Sequence, residues 1–175
     1  MWSSRLKTAL AALALTLVAA CGYVPAYAPD GPAGGLRARV APDAPGNRNA
    51  FELVRQIEKR LGRATRPRYR LSYRIETVQE GVGVTPGQEL IRYNVYGKAD
   101  YSLRDIASGA ELTSGSVDAF TGYSVGSVDT SATPPSTNAT IATDAAERDA
   151  YRRLMITLGD RIVTRLIAAS AVRAP

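Results

Sequence analysis

Ile91-Arg92-Tyr93-Asn94-Val95-Tyr96-Gly97-Lys98-Ala99-Asp100-Tyr101-Ser102-Leu103-Arg104 decides the fold. Apolar, small or tyrosine side chains hold every odd position, and polar or charged ones hold every even position except Tyr96. A period of two kept over this length is that of an extended strand with one buried and one solvated face. The run just upstream repeats the pattern: Tyr69, Leu71, Tyr73 and Ile75 alternate with Arg68, Arg70, Ser72, Arg74 and Glu76. Thr85-Pro86-Gly87-Gln88 between the two runs has turn chemistry. A symmetric hairpin centred between Pro86 and Gly87 pairs odd residues with even ones and so sets a buried face against a solvated one. The register therefore requires a β-bulge, with Gly81 and Gly83 as candidates. Downstream, Asp105–Gly109 reads as a second turn and Glu111 to about Val125 as a weaker strand.

Outside these strands the period changes. Leu36-Arg37-Ala38-Arg39-Val40 alternates like a short strand. Asn47–Arg63 reads as a helix, with Asn49 as its cap, Glu52 three residues on, and Ala50, Leu53, Val54, Ile57 and Leu61 on one stripe ended by Gly62 and Pro67. Ser124–Thr140, rich in Ser, Thr and Gly, reads as a long loop. From Thr143 to about Ala171, Ala146, Ala150, Leu154, Leu158, Ile162 and Leu166 recur every fourth residue, and Met155, Val163 and Ile167 widen the stripe. Asp144 and Glu147 then fall in a first helical turn, where the dipole favours acids. Asp144–Arg148 and Asp149–Arg153 are spaced as i,i+4 ion pairs. The expected order is β-α-β-β-β-α. Two striped helices and a sheet with one apolar face make an α+β two-layer sandwich: one four-stranded mixed sheet with two helices on one face.

The N-terminus has a different character. Arg5 and Lys7 precede an apolar run from Thr8 to Val18, and Val18-Ala19-Ala20 precedes Cys21, the single cysteine. This is the layout of a bacterial lipoprotein signal, too short for a spanning helix. Residues 1–20 are expected to be cleaved, leaving Cys21 lipidated at the head of 155 residues. An ordinary cleaved signal and a buried thiol are the blander alternatives. Residues 21–35, rich in Gly, Pro and Ala, are read as an extended tether, and residues 36–175 as a single domain.

Charge and composition narrow the function. Without Arg5 and Lys7 the 22 Lys and Arg become 20 against 16 Asp and Glu, a net +4. Eight bases crowd the stretch from Arg55 to Arg74, and none lies between Arg104 and Arg148. A basic patch outside the cytoplasm points to anionic headgroups or phosphorylated sugars, not nucleic acid. A solvated charged face is the plainer reading of any one arginine. With no histidine and the thiol committed to lipid, histidine- and cysteine-based catalytic and metal sites lose their groups. The chain reads as a non-enzyme without cofactor or metal. The solvated face of the sheet is expected to carry Arg92 and Lys98 as the first candidate anion contacts, then Arg68, Arg70 and Arg74. Arg104 lies on the same face. Tyr69, Tyr73, Tyr93 and Tyr101 fall on the core register, whereas Tyr96 and Tyr123 are expected exposed, as interface anchors.

Cys21-Gly22-Tyr23-Val24-Pro25-Ala26-Tyr27, the run Tyr93–Leu103, and Ala142–Ala150 with its continuation to Leu166 resemble the mature start, central strand and last helix of the lipopolysaccharide-assembly lipoprotein family LptE. Ala26 departs from it, where a larger apolar residue is common, as do Pro134-Pro135 and Ile141, where a tyrosine is expected. The resemblance implies the same two-layer fold and a lipid-anchored outer-membrane protein that partly plugs the barrel of its partner LptD. That complex inserts lipopolysaccharide into the outer leaflet. Gly22, not Asp, after the lipidated cysteine accords with outer-membrane sorting. The basic face would then meet lipopolysaccharide phosphates. The rival reading is an auxiliary lipoprotein of a lipid-transporting ABC system.

Overall fold

The computed structural model describes residue 31 and residues 33–84, 90–125 and 137–173. The elements are β1 (Val40–Pro42), α1 (Arg48–Leu61), β2 (Tyr69–Val84), β3 (Leu90–Asp105), β4 (Glu111–Ser124) and α2 (Thr137–Arg173). They form one four-stranded mixed sheet in the order β1-β2-β3-β4, with β1 parallel to β2 and the others antiparallel. The fold is the expected α+β arrangement, β-α-β-β-β-α.

Odd residues of β2 pair with odd residues of β3 from Tyr69↔Asp105 to Gly81↔Tyr93. The register then shifts between Gly81 and Gly83 and again between Gly83 and Val84, so the bulge falls at the two glycines where the parity argument requires it. The turn read at Thr85–Gln88 lies outside the described residues. The alternation brings Leu71, Val95, Ala99, Leu103, Val117 and Ala119 to one face, all buried. Leu53, Ile57 and Leu61 of α1 and Leu154, Met155, Leu158, Ile162, Val163 and Leu166 of α2 pack against that face in a single cluster. Gly97 lets α2 approach β3: a Cβ there would stand 2.9 Å from Leu154 Cδ2 and 3.1 Å from Leu158 Cδ1. The helices are latched to each other where Gln56 Nε2 and Arg60 Nη1 donate to Asp160 Oδ1, at 2.8 and 2.5 Å.

Four expectations change. The first strand is not Leu36–Val40. The chain turns through residues 33–39, with Leu36 and Arg37 N–H both donating to Ala33 C=O, and pairs with β2 only from Val40. Ala38 has a positive φ of 53°, which breaks an extended chain, while its N–H donates to Leu61 C=O at 2.8 Å. Leu36 and Val40 are both buried by this turn, and so is Ala33, so packing begins inside the segment read as tether.

The cap of α1 is Asn47, whose Oδ1 accepts from Ala50 N–H at 2.8 Å, so Glu52 takes no part in a capping box. Gly62 closes the helix at φ 81°, donating to Glu58 C=O, as its position suggested.

Helix α2 starts at Thr137, earlier than Thr143, and continues to Arg173. Part of the predicted loop is therefore helical, and residues 126–136 lie outside the described residues. The dipole role of Asp144 and Glu147 falls with this, because neither is in the first turn. Both helix ion pairs form, Asp144 with Arg148 at 3.5 Å and Asp149 with Arg153.

The fourth change concerns Tyr123. Expected exposed, it is 7% exposed and lies on the core face. As an odd residue of β4 it follows Val117 and Ala119 inward, and its ring stacks on Tyr93 at 5.4 Å between centroids. Its hydroxyl accepts from Gln79 Nε2 at 2.9 Å, and Tyr151 donates to the same amide's Oε1 at 3.3 Å. Burial pushes the Tyr123 hydroxyl's pKa up, and Glu147 nearby adds to it.

Candidate functional site

Because the helices cover one face of the sheet, the even-numbered side chains of β2, β3 and β4 form an open surface, ordered in rows by the strand register. From the β1 end toward the β2–β3 hairpin, the rows are Arg70–Arg104–Glu111, Ser72–Ser102–Ser114, Arg74–Asp100–Ser116 and Glu76–Lys98–Asp118. Beyond them come Val78–Tyr96–Phe120, Glu80–Asn94–Gly122 and Arg92–Ser124.

The expected basic face is therefore a mixed one. Lys98 sits between Glu76 and Asp118 across the strands and pairs with Asp100 at 3.5 Å. An external anion would therefore compete with the Asp100 carboxylate for this ammonium. Arg74 faces Asp100 across the ladder. Arg68 lies just before β2, 5.3 Å from the Tyr69 ring centre, with its Nε 3.3 Å from Asp105 Oδ2. Arg92 is exposed at the hairpin end, far along the strands from Arg68 and Arg70. The fold thus spreads the five candidates along the sheet and does not gather them into one site.

What the register does gather is Arg70 and Arg104, directly opposite each other on β2 and β3. Like charges in such a position repel. Arg104 is partly balanced by Glu111 at 3.2 Å, and Glu111 in turn is held below its usual pKa, first by the Ser114 hydroxyl and then by Arg104. Among the described residues no hydrogen bond or ion pair engages the Arg70 side chain. Two arginines opposite each other on neighbouring strands can each offer paired donors to a phosphate. The sequence shows both arginines on one face, but only the register makes them neighbours.

The second grouping is apolar. Val78 is 58% exposed, Phe120 70% and Tyr96 39%, and the last two rings lie 6.0 Å apart. Together they form a strip across three strands. Tyr96 is exposed as expected, and its partners were missed. Their signal was present in the sequence: both are apolar residues on the solvated phase of an otherwise alternating pattern.

Among the described residues no grouping with catalytic geometry stands out. Among the described residues no three carboxylate, thiol or imidazole groups are placed to hold a metal ion. The two carboxylates with resolved shifts, Asp105 and Glu111, are pushed down, opposite to what a general acid at neutral pH requires. Among the described residues no helix is long and apolar enough to cross a membrane.

Comparison with solved structures places the fold. A Caulobacter crescentus CB15 protein assigned as a lipoprotein superposes with a TM-score of 0.60 at 22% identity, covering 80% of this chain and 96% of that one. Rare lipoprotein B from Shewanella oneidensis gives 0.53 at 12% identity over 77% and 96% of the two chains. Lipoprotein B from Nitrosomonas europaea gives 0.53 at 13% over 76% and 83%. No curated protein matches the sequence. The family model described as LptE, lipopolysaccharide-assembly, matches residues 38–166, from the turn before β1 through most of α2. With the match spanning every element of the sandwich, the chain belongs to the LptE family of lipopolysaccharide-assembly lipoproteins.

Proposed function

We propose that this protein is anchored in the outer membrane by lipid on Cys21. There it acts with the LptD β-barrel, as plug and assembly partner, in inserting lipopolysaccharide into the outer leaflet. The observation that carries the reading is the family match over residues 38–166. Two features of the molecule support it. Ala33 is already buried against the domain. Twelve residue steps lead from Cys21 to Ala33, a contour of at most about 43 Å, so the domain can work beside the bilayer that holds its lipid. A lipid anchor of several acyl chains gives the lasting attachment that one chain cannot. The open face also offers both kinds of contact an amphiphile with phosphates needs. Arg70 and Arg104 face each other near one end, and the Val78–Tyr96–Phe120 strip lies toward the other. The domain's part is binding and assembly, not catalysis.

Tagged protein purified from detergent-solubilised outer membranes tests the partnership. A large β-barrel recovered in equal amount is the expected result. Transporter subunits in its place would favour the auxiliary-lipoprotein reading, and no partner would leave a free-standing binding domain. The lipopolysaccharide contact is tested on purified protein by charge reversal, Arg70→Glu with Arg104→Glu, set beside Arg92→Glu with Lys98→Glu. The first pair is expected to weaken binding about tenfold or more, since hydrogen bonds to charged groups contribute ~1.5–3 kcal/mol each. The second pair is expected to matter less. Unchanged binding in both would remove the phosphate contact from this face.

A further inference from the structure

The two edges of the sheet are treated differently. On the β4 edge, Arg153 of α2 donates to Gly122 C=O and Arg161 donates to Asp118 C=O. Both carbonyls belong to even residues of β4, whose main-chain groups point away from β3. The helix thus occupies the hydrogen-bonding positions that an added strand would use, a recognised way of blunting an edge.

Among the described residues the β2 edge has no such cover beyond β1. Tyr69 N–H donates to Arg39 C=O, and Leu71 C=O accepts from Asp43 N–H, so odd residues of β2 direct their main-chain groups outward. Among the described residues no strand follows on that side after Leu71. Among the described residues the outward N–H and C=O of Tyr73, Ile75, Thr77 and Gln79 have no partner. Residues 76–82 are exposed on both faces of the sheet. Beside the start of this free edge lies a recess of about 240 Å³, where Asp43, Gly46 and Asn47 line one part and Ala44, Ala50, Tyr73 and Ile75 supply the apolar part. It opens on the helix side of the sheet, where an added strand would direct alternate side chains.

We propose that the β2 edge from Tyr73 to Gln79 receives an extended segment of a partner protein as a fifth strand. The chemistry of the edge defines that segment. On the open face, Glu76 and Glu80 flank Val78 at two-residue spacing, so the incoming strand carries two basic residues around an apolar one. On the other face it places an aliphatic side chain in the recess. Main-chain bonds supply affinity, and alternate side chains supply the choice of partner. The edge shares Val78 with the proposed lipopolysaccharide contact but none of its arginines, and the outward main-chain groups on which the inference rests take no part in that contact.

The probe is the peptide acetyl-Lys-Thr-Val-Thr-Lys-Leu-Thr-amide, written to run antiparallel from Glu80 to Arg74, with a control in which both lysines are glutamate. Amide exchange of the full chain in detergent is followed residue by residue. The expected result is alternating protection by the lysine peptide. The N–H groups of Ile75, Thr77 and Gln79 slow about tenfold or more, and those of Arg74, Glu76 and Val78 are unchanged. Thr77→Pro removes an outward N–H without touching the β2–β3 ladder, so it is expected to abolish the protection while leaving the unfolding midpoint in place. Should that variant fail to fold, Glu76→Lys with Glu80→Lys serves instead, and is expected to transfer binding to the glutamate peptide. No protection at millimolar peptide, or protection without alternation, overturns the proposal. Protection that grows with protein concentration alone assigns the edge to a second copy of the chain and overturns it equally.

Discussion

Gly97 shows how much one missing methyl decides. Its neighbours Val95 and Ala99 are also buried, but only at Gly97 do two leucines of α2 stand where a Cβ would be. Gly97→Ala should cost about 1–3 kcal/mol from overpacking, read as a lower urea midpoint with an unchanged slope. Asp105 shows a different economy, in which one carboxylate organises the β3–β4 turn. Its Oδ1 accepts from the N–H groups of Ala107 and Ser108, and its Oδ2 meets Arg68. These bonds hold its pKa below the usual value, Ser108 first, against a smaller opposing effect of desolvation. A folded pKa below the unfolded one contributes stability that is complete above the unfolded value and lost as pH falls through the folded one. Asp105→Asn keeps the acceptor and loses the charge. Its unfolding free energy should therefore depend less steeply on pH than the parent's below about pH 4, as measured by denaturant titration across that range. The turn itself was legible as Asp105–Gly109. The pairing of Asp105 with Arg68 was not, because it joins residues that only the sheet makes adjacent.

At the scale of elements, the central problem is the long helix α2. Its buried stripe from Ala150 to Leu166 was plain in the sequence, since a period near 3.6 survives any context. Its start was not, because residues 137–143 are polar or small, and helix propensity alone is a weak guide there. The face next to the stripe carries Arg153 and Arg161, eight residues apart, which reach the carbonyls of Gly122 and Asp118, four residues apart. Eight helical residues rise about 12 Å and four strand residues about 13 Å, so the two spacings match. Nothing in the sequence sets these arginines apart from others on solvated helix faces. If they seal the edge, Arg153→Ala with Arg161→Ala should leave the unfolding midpoint nearly unchanged but cause concentration-dependent association, seen by light scattering. A variant that stays monomeric at all concentrations would remove the sealing role.

The whole molecule is a sheet clothed on one side and open on the other. Its overall positive charge did not forecast the open face, where each of the candidate bases within the strands has an acid in its own row or the next. Net charge sums over a chain, while an anion responds to the few groups within a Debye length. Attachment belongs to this scale as well. Cys21→Ser should abolish acylation, seen as loss of the acyl mass from the mature protein. It should also release the protein from the membrane fraction, since the acyl chains on Cys21 are the proposed anchor. An unchanged membrane fraction would show that the domain is held by a partner alone.

The sequence by itself determined the strand and helix periods, the single-faced sheet, the need for a bulge at Gly81 and Gly83, the burial of the α2 stripe and the family resemblance. Each follows from interactions within a few residues, or from a parity that one turn imposes. The tertiary arrangement alone makes Arg70 and Arg104 register partners, pairs Lys98 with Asp100, turns Tyr123 inward onto Tyr93 and, among the described residues, seals one edge and leaves the other free. Those outcomes depend on the register between strands and on where a helix lies across them. Both are set by packing of the whole core, which no local stretch of the chain contains.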